Sequence, residues 1–269
     1  MPSFERKNME NRYGIDIKWL AVTCFEMRFG KSVVVSDPYI TECEGTSLDH
    51  TAVEGCDIIT VSHTHYDHVT DIPRLCAKFS PRIITGAMSA MPMARWLNYD
   101  PSILYPTYPG VELDFGEVKI RTVYGRHKSM GKGLNDLCDL LAQKEVCKAD
   151  RLLAEMQPIG SMEYCNYLFT AKNGVKLLLW GSEPTVEQER LCRELAPDIA
   201  IIQRGKGDDA IRARAAFAAN IGAKVLIPHH QDTHAVDDPT VLERLGEEFL
   251  RLVPDGRFIA PVHGEWISL

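Results

Sequence analysis

Both halves of the chain open on hairpins and then alternate strand with helix, and this shared plan limits the fold more than any other feature. In the first half, "IKWLAVTCFEMRFG" and "KSVVVSDPY" are strand-like runs that meet at Gly30, a hairpin turn. A strand at "DIITVS", a helix at "DIPRLCAKF", a strand at "RIIT" and a helix at "SAMPMARWLN" follow, and "VELDFGEVKIRTVYG" reads as two strands joined at Gly116. In the second half, "EYCNYLFTAKNGVKLLLWG" sets Asn173 and Gly174 between two apolar runs, a strong hairpin signal. Helix and strand then alternate through "VEQERLCREL", "DIAIIQ", "DAIRARAAFAANIG", "AKVLIP" and "TVLERLGEEFLRLV", with Gly222 placed to end a helix. The expectation is an α/β protein with two mixed sheets flanked by helices. Residues 1–269 form one domain, carrying a helical insertion at about 130–160 that is either a lid or packing.

A chain of 269 residues with 45% hydrophobic and 25% charged residues is an ordinary globular composition. It is long enough to bury its core without metal or disulfide staples, so a bound metal is expected to be functional. The formal net charge of −7 lacks the basic footprint of a nucleic-acid binder. The eight cysteines include no Cys-x-x-Cys pair, and several, such as Cys165 in "EYCNYLF", sit in apolar runs as small core hydrophobes. The polar opening "MPSFERKNMENRYG" has no apolar signal core, and no apolar run is long enough to span a membrane. A reduced, cytoplasmic protein with no membrane partner is expected.

The chemistry is concentrated in "CDIITVSHTHYDHVT", residues 56–70, where a buried strand runs into His63, His65, Asp67 and His68. Alternate residues of an extended loop point the same way, so His63 and His65 can reach one metal ion together. Asp67 and His68, beyond the turn, face a second position close by. Imidazole with carboxylate suits zinc, iron or manganese, and strand ends are where α/β folds place their active sites. A surface loop with chance histidines is the bland alternative, and the density of the pattern disfavours it.

The loop resembles the H-x-H-x-D-H motif of the metallo-β-lactamase superfamily. "IKWLAVTCFEMRFGKSVVVSDPY" is similar to the opening hairpin of the branch that holds the ascorbate-phosphate lactonase-like and UPF0173 hydrolases. Trp19, Leu20, Asp37 and Pro38 keep that branch's pattern, while Ala21, Val22 and Thr23 replace its Gly-His-Ser. The resemblance covers nearly the whole chain apart from residues 128–160. It implies a four-layered αβ/βα sandwich and a centre of one or two divalent ions, zinc or manganese, with iron also compatible. It further implies His127 of "TVYGRH" as third ligand of the first ion, and His230 of "VLIPHHQDT", rather than His229, as ligand of the second. Asp37 is expected to support a ligand histidine from behind. One departure matters: the family's bridging Asp is replaced by Ser182, followed by Glu183. Three readings stay open: Glu183 reaches in as a ligand, the site holds one metal, or the second site is weak. A fourth use of Glu183 is only to favour the start of the next helix. His263 reads as structural or pocket-lining, and His234 as an exposed loop residue.

A metal with three protein ligands and an open position lowers the pKa of bound water from 15.7 to about 7. Asp67 is then the catalytic carboxylate that orients the resulting hydroxide or takes its proton. This chemistry suits lactones, amides, thioesters and phosphodiesters, and no G-x-S-x-G nucleophile elbow is present. Arg126 and Lys128 flank His127, and "QRGKGDD" at 203–209 offers Arg204 and Lys206 beside amides freed by Gly205 and Gly207. These residues point to a small anionic substrate, a lactone or a phosphate ester such as a sugar-phosphate lactone. The alternatives are a phosphodiesterase of the same fold, or a non-catalytic protein with a weakened second metal site. Relatives also assemble, so the resemblance implies a homo-oligomer.

Overall fold

The structure, a computed structural model, describes residues 12–98, 101–127, 148–232 and 240–269. Two seven-stranded sheets lie face to face. The first holds β1 (Ile15–Ala21), β2 (Cys24–Phe29), β3 (Ser32–Ser36), β4 (Ile58–Thr60), β5 (Arg82–Gly86), β6 (Leu104–Thr107) and β14 (Trp266–Ser268), in the order β14-β1-β2-β3-β4-β5-β6. The second holds β7 (Glu112–Asp114), β8 (Val118–Tyr124), β9 (Cys165–Ala171), β10 (Lys176–Trp180), β11 (Ile199–Gln203), β12 (Val225–His229) and β13 (Arg257–Phe258), in the order β13-β12-β11-β10-β9-β8-β7.

Each sheet is mixed for the same reason. Strands joined by short turns pair antiparallel, as β1–β2–β3 and β9–β10 do. From β3 to β6 and from β10 to β13 longer connections, most of them helical, bring the strands back parallel, whereas β8 and β9, with the helix Lys148–Met162 between them, pair antiparallel. Helices α1 (Tyr66–Val69), α2 (Ile72–Phe79) and α3 (Ala87–Leu97) belong to the first sheet, and α4 (Lys148–Met162) follows β8. Helices α5 (Val186–Leu195), α6 (Asp208–Asn220) and α7 (Val241–Leu252) cover the second sheet.

Alternation along the strands divides the core into layers. Leu177, Leu179, Ile199, Ile201, Val225 and Ile227 point between the sheets, where they meet Ile17, Trp19, Phe25 and Met27. Leu178, Trp180, Ala200, Ile202 and Leu226 point the other way, against Phe217, Leu245 and Phe249 of α6 and α7. Leu20, Val35, Ile59 and Ile83 pack outward on Ile72, Leu75, Met93 and Met156. Strands buried on both faces read as unbroken apolar runs, which is why "KLLLW" shows no polar alternation. The four layers are helix, sheet, sheet, helix, as expected.

Three short strands escape a reading by propensity. β6, with Pro106 inside it, β13 and β14 are two to four residues long and lie at sheet edges. Neighbouring backbones rather than side-chain preference define such elements. Among the described residues, no helix is long and apolar enough to cross a membrane.

Of the expected helical insertion, residues 128–147 lie outside the described residues. Its remainder, α4, runs on to Met162 and packs against the histidine loop. Thr64 donates its hydroxyl proton to the Met156 carbonyl at 2.7 Å, and the Gln157 side-chain oxygen accepts from the Tyr66 amide at 2.9 Å. Gly160 makes the approach possible, since a Cβ there would stand 2.8 Å from the His65 nitrogen and 2.9 Å from Thr64 backbone atoms. Gly160→Ala is therefore expected to push α4 off the loop, destabilising the fold by about 1–3 kcal/mol and weakening divalent-metal binding by His63 and His65. Urea unfolding and zinc titration check this. An unchanged midpoint with unchanged affinity would mean that α4 does not brace the loop.

Candidate metal centre

The parallel strands of both sheets deliver their C-terminal ends to one rim, where α/β folds place their sites. β4 leads into Val61–His65, β8 into His127, β10 into Ser182, β11 into Arg204 and β12 into His230. Together they line a cavity of about 840 Å³, within the usual range for a small-molecule site.

One ring nitrogen from each of His63, His65 and His127 lies within 4.8 Å of the other two. Among the described residues, these three are the one set of histidine, cysteine or acidic side chains gathered so closely. The hydrogen bonds behind them settle which nitrogens face inward. Asp37, buried directly after β3, accepts from the Ser62 amide and the Ser62 hydroxyl, both at 2.6 Å, and from His68 Nδ1 at 2.8 Å. With its proton given to Asp37, the Ser62 oxygen accepts from His63 Nδ1 at 2.9 Å, leaving the His63 Nε2 lone pair toward the centre. His65 Nε2 lies 2.9 Å from the hydroxyl of Ser161 on α4. When it donates there, His65 Nδ1 also presents a lone pair, 3.1 Å from His63 Nε2. Two lone pairs this close need a proton or a cation between them. With His127 beside them, the donor set fits a zinc-type ion with an open fourth position.

The electrostatics agree with ligation. Burial, with the charge of His68, lowers the pKa of His63 well below the ordinary histidine value. Burial and His127 bring His65 down to about 4, and burial also lowers His127. Neutral imidazoles are the form that binds metal. His68 goes the other way: burial opposes its charge, but Asp37 and Asp67 outweigh that and raise it.

The remaining predicted ligands are spread more widely. Asp67, half-buried in the first turn of α1, has an oxygen 3.8 Å from His68 Nε2. His230 lines the cavity with its ring 5.9 Å from that of His68. His229 is fully buried and donates from Nε2 to the Trp180 carbonyl at 3.0 Å. Its Nδ1 then accepts from His230 Nδ1 at 2.6 Å, which puts the lone pair of His230 on Nε2. Thr23, in the segment that departs from the branch pattern, sits 3.2 Å from His230 Nδ1. Three residues here that are not glycine hold left-handed backbone: Val22 (φ 45°), Asp37 (φ 40°) and His230 (φ 67°). Such strain, of order 1–3 kcal/mol each, collects at functional sites.

Ser182 does not supply a carboxylate equivalent. Its hydroxyl lies 3.5 Å from Asn166 Nδ2, and its carbonyl accepts from Trp180 Nε1 at 2.6 Å and Arg214 Nη1 at 2.9 Å. Glu183 is exposed on the rim, outside the histidine cluster, with Arg214 as a charged neighbour. The start of α5 is capped by Thr185 and Gln188, so that helix does not depend on Glu183. Arg204 donates from Nε to the His230 carbonyl at 3.0 Å and braces that loop, while Lys206 and Arg126 are exposed on the rim. Asp208 and Asp209, just after Gly207 in the first turn of α6, pair with Arg244 and Arg212 and add negative charge at the positive end of the helix. Lys128 and His234 lie outside the described residues.

Five further residues belong to the site. Ser62 and Ser161 orient the ligands, and Tyr164 stacks on His63 with ring centroids 4.7 Å apart. Asp232 accepts from the Val22 amide at 2.8 Å and lies 3.1 Å from His263, which stacks on Trp19. Arg214 interrupts the buried stripe of Ile211, Ala215 and Ala218 on α6. That one anomaly, a cation at an apolar position, is readable in the sequence.

The lowered histidines carry a pH dependence. An unfolded His65 takes up its proton near 6.5 and the folded one only near 4. The unfolded state therefore binds more protons between these values, and stability falls as pH drops through them. His63, His127 and His229, lowered by burial, act in the same sense. His68, raised, opposes it, adding stability at low pH that is lost as pH rises. Thermal unfolding of the metal-free protein between about pH 7 and 4 should show a falling midpoint. A rising midpoint would contradict a neutral, buried cluster.

The comparisons with known proteins converge on one family. Residues 16–136 match a β-lactamase superfamily domain. A UPF0173 metal-dependent hydrolase of Koribacter versatilis is 24% identical over 242 residues, covering 87% of this chain and 92% of that protein. Another UPF0173 metal-dependent hydrolase, from a Geobacillus species, is 27% identical over 248 residues, covering 89% and 93%. Among solved structures, Igni18, a metallo hydrolase from Ignicoccus hospitalis, superposes with a TM-score of 0.68 at 12% identity, covering 95% of this chain and 98% of that one. The matched domain that bears the three histidines, the two relatives aligned over nearly their full length and the shared fold make this chain similar to metal-dependent hydrolases of the metallo-β-lactamase fold.

Proposed function

We propose that this protein, a metal-dependent hydrolase of the metallo-β-lactamase fold, cleaves a small anionic ester, either a lactone or a phosphate ester such as a sugar-phosphate lactone. The observation that carries the reading is the convergence of His63, His65 and His127 on one point in a polar cavity. A zinc or manganese ion on these nitrogens would acidify a bound water from 15.7 to about 7 and polarise the substrate oxygen.

The protein's own groups supply the rest. Asp67, half-buried at the cavity wall, orients the attacking water, takes its proton and returns it to the leaving group. His63 and His65 keep their ligand nitrogens aimed inward through Ser62 and Ser161. The cavity lining offers both charges: Arg126, Lys206 and Arg214 supply cations, and Glu42, Glu44, Glu183 and Asp232 supply carboxylates. An anionic group suits the first set and sugar hydroxyls suit the second. The six described cysteines are all buried free thiols, which supports the reading of a reduced, cytoplasmic enzyme.

The test uses zinc- and manganese-loaded protein on a panel of lactones, phosphomonoesters, phosphodiesters and thioesters. Turnover of an anionic member is expected, and Asp67→Asn should lower kcat by about 10²–10⁴-fold without loss of metal from the three histidines. Loaded protein that turns over nothing in the panel would refute the hydrolase reading. An Asp67→Asn variant at full rate would remove Asp67 from the chemistry.

A further inference from the structure

Relatives with two ions use a bridging carboxylate where this chain has Ser182, so the surroundings of Ser182 decide how many ions the centre can take. The hydroxyl meets the neutral Asn166 amide at 3.5 Å. Beneath it lies Arg214, 5% exposed, whose Nη1 donates to the Ser182 carbonyl at 2.9 Å. Its Nε is buried with no hydrogen-bond partner among the described residues. The guanidinium also borders the cavity together with Tyr164, Gly181 and Glu183.

We propose that the centre holds a single divalent ion, on His63, His65 and His127, and that the fixed guanidinium of Arg214 supplies the second positive charge of the site. This rests on the hydrolase reading above and deepens it. Three observations carry it. The ligand atoms of Asp67, His68 and His230 do not gather as those of the first three histidines do. The position of the bridging carboxylate holds a neutral hydroxyl. A buried cation stands beside it, and like charges in a site of low dielectric repel strongly, so Arg214 opposes entry of a second ion. A guanidinium is also suited to the charge that a second ion would neutralise. It is planar, permanently protonated and built to grip phosphate or carboxylate oxygens, and a preorganised cation stabilises charge developing on the substrate. A buried cation with a polar atom left unpaired is a poor packing choice on a helix face that otherwise carries Ile211, Ala215 and Ala218.

The test is zinc stoichiometry, by calorimetric titration of metal-free protein and by metal content after gel filtration. Wild type should take one ion per chain, and Arg214→Lys, which keeps the charge, should also take one. Ser182→Asp alone should take one, because the new carboxylate pairs with Arg214. Ser182→Asp combined with Arg214→Met should take two. Circular dichroism checks folding, and if the double variant fails to fold, wild type and Ser182→Asp still decide. Two ions on wild type, or two on Ser182→Asp, would overturn the inference while leaving the hydrolase reading intact. One ion on a folded double variant would remove the role of Arg214. No ion on wild type would overturn both.

Discussion

Asp37 carries a buried carboxylate that binds three donors at once, and the geometry of the centre depends on how those donors are shared. The Ser62 amide fixes where the histidine loop leaves β4. The Ser62 hydroxyl passes the influence of the carboxylate to His63 Nδ1, and His68 Nδ1 is held directly. Each bond fixes a tautomer, and each tautomer turns the opposite nitrogen toward the cavity. A carboxylate this deep is stable only while fully hydrogen-bonded, so the three bonds stand or fall together. Removing Asp37 would release two rings from one event.

The same logic runs through the other half of the site. The Trp180 carbonyl fixes His229, His229 fixes His230, and the Arg204 guanidinium holds the His230 carbonyl. These chains of bonds run from strand ends that the two sheets bring to one rim, so the core beneath acts as the frame. The strained backbone at Val22, Asp37 and His230 lies where the chains begin or end. Strain persists only where surrounding contacts over-determine the conformation. Here the Val22 carbonyl accepts from the His230 amide and its own amide is held by Asp232, which locks the first hairpin to the loop after β12.

Much of this is legible in the sequence. The hairpins and the strand–helix alternation imply two sheets, because local turns and apolar periods are properties of short stretches. His63 and His65 are brought together as their spacing suggests, His127 joins them as the resemblance implies, and His230 lines the cavity while His229 is held against Trp180. Ser161 was not readable, since its approach to His65 depends on how closely Gly160 lets α4 reach the loop. Glu183 shows the limit of chain order as a guide. It stands next to the departed position, yet lies exposed while Ser182 turns inward. Strands of two to four residues at sheet edges are likewise set by the partner they meet.

The substitution of one bridging residue has consequences that reach past the metal. A second ion would present its charge through exchangeable coordination positions, whereas a guanidinium presents fixed N–H donors in a plane. A site built on Arg214 therefore selects by shape as well as charge, favouring oxygens that can lie in that plane, as those of a carboxylate or phosphate do. Glu42, Glu44 and Asp232 along the cavity lining would repel a second anionic group there while accepting hydroxyl donors. The proposed substrate, with one anionic end and several hydroxyls, would present its scissile bond between the two at the three histidines. Fold alone does not choose among the many reactions that the metallo-β-lactamase fold supports. The distribution of charge around a common metal position makes the choice.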